Sequence, residues 1–203
     1  MVAIDCHDVP SEMVWLKYLD ILNVHSLPII FRNKDNGWNG YNVEYGDHYK
    51  MKHDKDPYMN LFLSSIISRK CCYACPSKGI ERCSDLTIGD FWWIDSIDSS
   101  MFDDKGTSIV LVHTKKGEKL INNVSDFLIL KDESIENAVK YKASLVRSTQ
   151  EPESRSLFFK LLLNTESPDF NALYKKLCVY YNKTIAKKCI IFVKRIVKRM
   201  LNS

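Results

Sequence analysis

Apolar positions along this chain follow two rhythms, one of period two and one of about 3.6, and the switches between them outline its elements. Val2-Ala3-Ile4 reads as a short buried strand. After Pro10, the residues Val14, Trp15, Tyr18, Leu19 and Leu22 recur at helical spacing, with Ser11 placed to cap the first turn. Pro28 ends that rhythm. Ile29–Phe31 and Tyr41–Tyr45 read as strands joined through Lys34-Asp35-Asn36-Gly37, whose Asn-Gly pair is a hairpin signal.

Asp56-Pro57 opens a second helix, with Asp as N-cap and Pro in the first turn. Leu61, Phe62, Ser65 and Ile66 carry it on to Arg69-Lys70, directly before a cysteine-rich loop over 71–82. Leu86–Ile88 reads as a strand ending at Gly89-Asp90-Phe91-Trp92. Asp103–Gly106 reads as a turn. Ser108–Val112 has the β-branched run of a buried strand. A helix is expected from about Lys116, and others over 134–146, 154–163 and 169–181. The expected fold is therefore α/β, a mixed sheet with flanking helices and a helical C-terminal third. Residues 1–165 form one domain, and 166–203 form a helical, basic, amphipathic extension.

The 203 residues, 45% of them hydrophobic, suffice for a real core, and a charged share of 27% argues against wholesale disorder. The first residues show no secretory signal, and no apolar run reaches the ~18 residues of a membrane span, so a cytoplasmic location is expected. Residues 183–203 carry seven Lys/Arg and no acid, while the whole chain is only +4, which leaves the body slightly acidic. A nucleic-acid protein usually spreads its basic residues over a folded face, so nucleic acid is not the expected partner. In the tail, Ile185, Cys189, Phe192, Val193, Ile196 and Met200 share one helical face with Lys and Arg flanking it. That pattern suits docking to an anionic membrane surface, or packing on the body with a solvated basic side.

Seven cysteines, an odd number, include four crowded between positions 71 and 83. In a reducing compartment such a cluster reads as metal ligands or catalysis before disulfides. Cys72-Tyr73-Ala74-Cys75-Pro76 turns two thiols toward one centre, and a proline follows the terminal ligand in many ferredoxin loops. A four-iron cluster wants four ligands, and Cys6 and Cys83 are the available extras. Zinc competes for the same Cys-x-x-Cys, although the second half of a zinc ribbon is absent. A redox-active dithiol and a set of free buried cysteines are the remaining readings.

The stretch Cys72-Tyr-Ala-Cys75-Pro-Ser-Lys-Gly-Ile-Glu-Arg82-Cys-Ser-Asp85-Leu-Thr-Ile-Gly-Asp90-Phe-Trp92 resembles the C-terminal domain of the coenzyme F420 hydrogenase/dehydrogenase beta-subunit family. Three further blocks resemble it in the same order, from Asp5 to Ser11, from Phe31 to Trp38 and from Asp104 to Gly117. The resemblance implies an oxidoreductase in which electrons pass between a deazaflavin or other hydride carrier, FAD and a 4Fe-4S cluster. It implies Cys6, Cys72 and Cys75 as cluster ligands, with Cys83 the least regular. Arg32, Lys34, Arg82, Asp85, Asp90 and Trp92 fall in its signature blocks and are the candidate cofactor-binding residues. Arg32, Lys34 and Arg82 suit FAD phosphates, and Trp92 suits a flavin ring. No catalytic residue is assigned. Bland roles stand beside these: an Arg82–Asp85 ion pair, Asp90 as a turn cap, Trp92 and Trp93 as core, and His7 as a hydrogen-bonded structural residue.

Family members usually carry a ferredoxin-like module and a flavin-associated segment ahead of these blocks, and both are missing here. Asp8 and Trp93 stand where glycines are usual. A protein partner supplying the missing half or an electron donor is therefore expected. The alternative is a truncated, noncatalytic, metal-stabilised interaction module or a split subunit, linked to cell-surface polysaccharide biosynthesis.

Overall fold

In a computed structural model, which describes residues 1–47 and 49–178, the strands form two three-stranded sheets. The first contains β1 (Val2–Ile4), β5 (Leu86–Asp90) and β6 (Ser108–Val112), in the order β1-β5-β6. β1 runs parallel to β5, with Val2 opposite Leu86, and β5 runs antiparallel to β6. The second is an antiparallel meander of β2 (Ile29–Asn33), β3 (Asn42–Tyr45) and β4 (Tyr49–Lys52). The α/β class holds, with the strands divided between two sheets.

Helices α1 (Glu12–Leu22), α2 (Pro57–Leu63), α3 (Lys115–Val124), α4 (Ile135–Tyr141) and α5 (Arg155–Leu163) surround the sheets, and a further helix, α6, covers 170–178 of the described residues. The main core joins α1, β3, α2, α5 and α6 through Val14, Tyr18, Val43, Tyr45, Leu61, Ile67, Phe158, Leu162, Phe170 and Leu177. A smaller core lies under β5 and β6, where Phe91, Ile94, Ile109, Ala138 and Leu145 meet. Among the described residues no helix is long and apolar enough to cross a membrane. The amphipathic pattern over 183–203 lies outside the described residues.

The start of α2 follows its sequence signal. The Asp56 carboxylate accepts the Met59 amide at 2.7 Å and the Tyr18 hydroxyl at 2.9 Å while wholly buried. The helix ends earlier than its pattern suggests, because Ser65 takes a left-handed φ of 58° and the chain turns. The cysteine loop then winds into a 3-10 turn over Lys70–Ala74. Ser11 occupies the N-cap of α1, yet its side chain makes no capping bond, and its amide instead reaches the Ile67 carbonyl at 2.7 Å.

Two strands read as buried prove to be sheet edges. Val2 and Ile4 are 50% and 77% exposed, and in β6 only Ile109 is buried, with Val112 48% exposed. Both flank β5, which takes the central position and contributes Leu86 and Thr87 to the interior. The expected helix over 134–146 is broken in the middle. Lys142 leaves helical geometry at φ −136°, ψ 69°, and the chain resumes as a 3-10 turn over Ala143–Leu145.

Candidate functional site

The two sheets leave between them a cleft of about 730 Å³, within the usual range for small-molecule sites. It opens at the carboxyl ends of the parallel strands β1 and β5, where ligands commonly bind in open α/β sheets. Ile4, Asp5 and His7 follow β1 along one wall; Ile88, Gly89 and Asp90 come from β5; Phe31 and Arg32 come from β2. Phe62 and Leu63 from α2 and Lys142 at the end of α4 complete it. Its mouth is apolar, since Phe31, Leu63 and Trp93 are 44%, 46% and 59% exposed.

Arg32 is held on the cleft wall by a cage of rings. Its guanidinium carbon lies 4.5 Å from the Trp38 ring centre, 4.6 Å from that of Trp92 and 5.0 Å from that of Tyr41. Its Nη1 donates to Asp90 at 3.0 Å. Flat guanidinium faces stack on aromatic rings while their edges hydrogen-bond, so one side chain satisfies both contacts. Trp92 therefore packs on Arg32 and, at 5.1 Å, on Trp38. Trp93, next in sequence, is the indole that faces the opening. Lys34 lies over the Trp38 ring, at 4.6 Å, and is not among the residues that line the cleft.

Arg82 and Asp85 do not pair with each other. Arg82 donates to Asp5 at 3.4 Å and to the carbonyls of Leu145 and Gly79. Asp85 binds the Met1 amino group, the Thr114 hydroxyl and Lys116. It sits just before β5, at the strand end opposite Asp90, roughly 17 Å away at ~3.3 Å per residue. Asp85 thus joins β1, β5 and the start of α3, and the cleft lies at the other end of the sheet.

Asp5 is the electrostatic centre of the cleft wall. Its side chain is wholly buried, with Lys78 at 3.5 Å, Arg82 at 3.4 Å and Lys142 at 3.1 Å, and Ser144 donates to it at 2.9 Å. Burial alone would raise its pKa, but Lys142, Ser144 and Lys78 outweigh burial and hold the carboxyl below the usual carboxylate range. Gly89 makes the arrangement possible, since a Cβ there would lie 2.9 Å from that of Asp5.

The cysteines lie behind the same wall. The Val9 amide donates to the Cys72 sulfur at 3.3 Å, and Arg69 bonds back to the Val9 carbonyl. Burial raises the Cys6 thiol pKa, Lys78 opposes it, and the Cys75 sulfur is among the charges that act on it. Ser148 accepts the Cys75 amide at 2.9 Å and so anchors the loop. Cys6, Cys72 and Cys75 therefore occupy two adjoining segments with free thiols. Cys83 is exposed on the loop before β5 and takes no part in these contacts. Among the described residues no three His, Cys, Asp or Glu side chains converge as a bound metal requires, so Cys6, Cys72, Cys75 and Cys83 form no assembled centre for zinc or for an iron–sulfur cluster.

His7 is hydrogen-bonded, as a structural histidine would be, with Nε2 3.4 Å from Ser65 Oγ and 3.5 Å from Asp8 Oδ2, and it also lines the cleft. Sequence reasoning did not find Phe31, Tyr141, Lys142 or Ser144 as cleft residues. The break in the expected helix at 142 has no glycine or proline to announce it.

The fold defines an α/β domain with a cleft between two sheets at its strand ends. Over residues 1–138 the chain matches the family described as the C terminus of the beta subunit of coenzyme F420 hydrogenase/dehydrogenase, and it belongs to that family. It is thereby a domain related to oxidoreductases of the F420 hydrogenase type, in a family named for one subunit of such enzymes. No curated protein and no solved structure matches the chain.

Proposed function

We propose that this chain is the flavin-holding domain of an iron–sulfur oxidoreductase, which passes electrons between a hydride carrier, FAD in the cleft and a 4Fe-4S cluster. One observation carries the reading: the segment 4–10 separates the cleft from the cysteine loop. Ile4, Asp5, His7 and Pro10 line the cleft, while between them the Cys6 carbonyl accepts from Lys78 of the cysteine loop and the Val9 amide donates to the Cys72 sulfur. A flavin and a cluster on the two sides of that strip would be neighbours.

The exposed Trp93 and Phe31 offer apolar surface to a flavin ring, and the volume of the cleft suits a group of that size. Cys6, Cys72 and Cys75 would hold the cluster. The fourth ligand, with Cys83 outside the group, would come from a partner subunit that also supplies the electron donor. The bound flavin accepts and gives electrons; the chain's own residues orient it, keep its rim dry and keep Arg32 neutralised by Asp90.

The test is anaerobic reconstitution of the purified chain with ferrous iron, sulfide and FAD, alone and with its partner subunit. Brown absorbance with bound flavin is expected. Cys6→Ser, Cys72→Ser or Cys75→Ser should lose iron, Cys83→Ser should retain it, and Trp93→Ala should weaken flavin binding. A protein that stays colourless and flavin-free with its partner present would leave a noncatalytic interaction module as the reading.

A further inference from the structure

The strand β6 is a free edge of its sheet, whose order is β1-β5-β6. The ladder shows which of its backbone groups are spare. The His113 amide donates to the Asp85 carbonyl, and the Phe91 amide donates to the Thr107 carbonyl. In this register Ile109 and Leu111 likewise turn their backbone groups to β5. The amides and carbonyls of Ser108, Val110 and Val112 therefore point away from the sheet, and no described residue bonds them. Such a row of unpaired groups is a template for one more strand.

A groove runs along this edge. It is lined by every residue of β6 and, on its far side, by 129–133, a stretch outside any helix or strand. Side chains alternate between the two faces of a strand, so a groove that touches five consecutive residues follows the edge. Its floor is apolar, from Phe91, Ile94 and Ala138 of the smaller core. Val112, Ile129, Leu130 and Ile135 on its walls are exposed, and contiguous apolar surface of this kind marks an interaction site. The rim is acidic. Lys131 is cancelled by Asp98. Asp132 has no partner among the described residues, and Glu133 accepts only from the Ser134 amide and the Asn137 side chain, both uncharged. A second copy of this chain does not fit, because its own β6 would bring the same acidic wall against this one.

We infer that this groove takes an extended segment of a partner protein, in which apolar residues alternate with Lys or Arg, added to the sheet as a fourth strand along β6. Its backbone pairs with Ser108, Val110 and Val112, its apolar side chains cover the floor, and its cations meet Asp132 and Glu133. Main-chain bonds supply affinity in this mode, and the alternating side chains supply the choice of partner. Nothing at this edge depends on what the cleft between the sheets binds.

The probe is the hexapeptide acetyl-Lys-Val-Lys-Val-Lys-Val-amide, titrated into the full chain and read by calorimetry and by amide hydrogen exchange over 107–113. Fast exchange of the edge amides in the free chain and slow exchange in the complex are expected. The fully N-methylated peptide keeps every side chain and loses its donors. It should bind at least about tenfold more weakly, since each lost hydrogen bond is worth roughly two- to tenfold. The Glu-Val counterpart should not bind. Asp132→Asn should weaken the Lys peptide about two- to fivefold at low salt, and the difference should shrink at high salt. Val110→Pro removes an edge amide without touching the ladder to β5 and should abolish most of the binding. Because the N-methyl comparison uses the native chain, a Val110→Pro protein that failed to fold would not remove the test. No binding, or equal binding of the N-methylated peptide, would overturn strand addition. Equal binding of the Glu-Val peptide would overturn the basic partner. Edge amides already protected in the free chain would overturn a partner altogether: protection that rises with chain concentration would assign the groove to a second copy, and protection independent of it would assign the groove to the chain's own residues.

Discussion

The guanidinium of Arg32 lies 4.6 Å from the centre of the Trp92 ring, and this contact fixes the shape of one cleft wall. Two of the candidate cofactor-binding residues thereby act on each other, and the exposed indole beside the cleft is Trp93.

Replacing Arg32 by Leu should cost about 1–3 kcal/mol, from three lost ring contacts and a partly exposed ion pair. Arg32→Lys should recover only a fraction, since an ammonium group has no flat face to stack. Urea denaturation measures both. A Lys variant as stable as the native chain would mean that charge alone, without stacking, holds the wall.

Asp5→Asn should be among the most damaging single changes, with a loss of about 3–5 kcal/mol at pH 7, because it strands three clustered cations. Lys142→Met should be mild by comparison, as Asp5 keeps Lys78, Arg82 and Ser144. Thermal melts of the two variants decide the order, and equal losses would contradict the hydrogen-bond assignment around Asp5.

Asp56 offers a pH test. Its carboxyl pKa is raised chiefly by burial, against the lowering effect of the Met59 amide and the Tyr18 hydroxyl. The folded pKa lies above the unfolded value of ~3.9, so the folded chain takes up the proton first and gains stability from this group as pH falls below neutral toward that value. Asp56→Asn removes the titration and keeps a capping oxygen. The native chain should therefore gain relative to this variant between pH 7 and about pH 4 in urea unfolding. Asp56→Ala should lose about 2–4 kcal/mol at both pH values, from the missing cap and the unpaired Tyr18 hydroxyl.

Gly106 sits at φ +107°, and a Cβ there would come within 2.4 Å of the Trp38 ring. Gly106→Ala should cost at least about 2 kcal/mol from backbone strain and displacement of that ring. A shift in tryptophan emission should accompany the loss, since Trp38 packs on Trp92 and Arg32.

Local chemistry made much of the fold legible. The Asp56-Pro57 helix start, the pairing of Ile29–Asn33 with Asn42–Tyr45, and the strand through Leu86 are all set by residues close in sequence. The strand Tyr49–Lys52 was missed because Tyr-Lys-Met-Lys carries a weak apolar signal, and the strand forms by pairing with β3, as Met51 does with Val43. Edge and centre were confused for Val2–Ile4 and Ser108–Val112, since β-branched runs mark a strand without saying what covers it. In the site, Arg32, Asp90 and the cysteine loop stand out by residue type. The partners of Arg82 and Asp85, and the arrival of Lys142, depend on contacts between distant segments that no local pattern encodes.

The parallel pairing of Val2 with Leu86 also sets the order in which the molecule can assemble. The meander and its hairpin close over short distances, but β1 must wait for β5 across more than eighty intervening positions, and Asp5 must then wait for Lys142. Closing such long loops is paid in chain entropy before any contact rewards it, and it slows folding. The cleft is therefore a late product of folding, completed after the aromatic contacts of Tyr18, Tyr45 and Tyr58 among α1, the meander and α2 can already form. A chain stalled on its pathway would keep those contacts and lack a binding site, so refolding followed by a cleft probe should lag behind refolding followed by buried tyrosine.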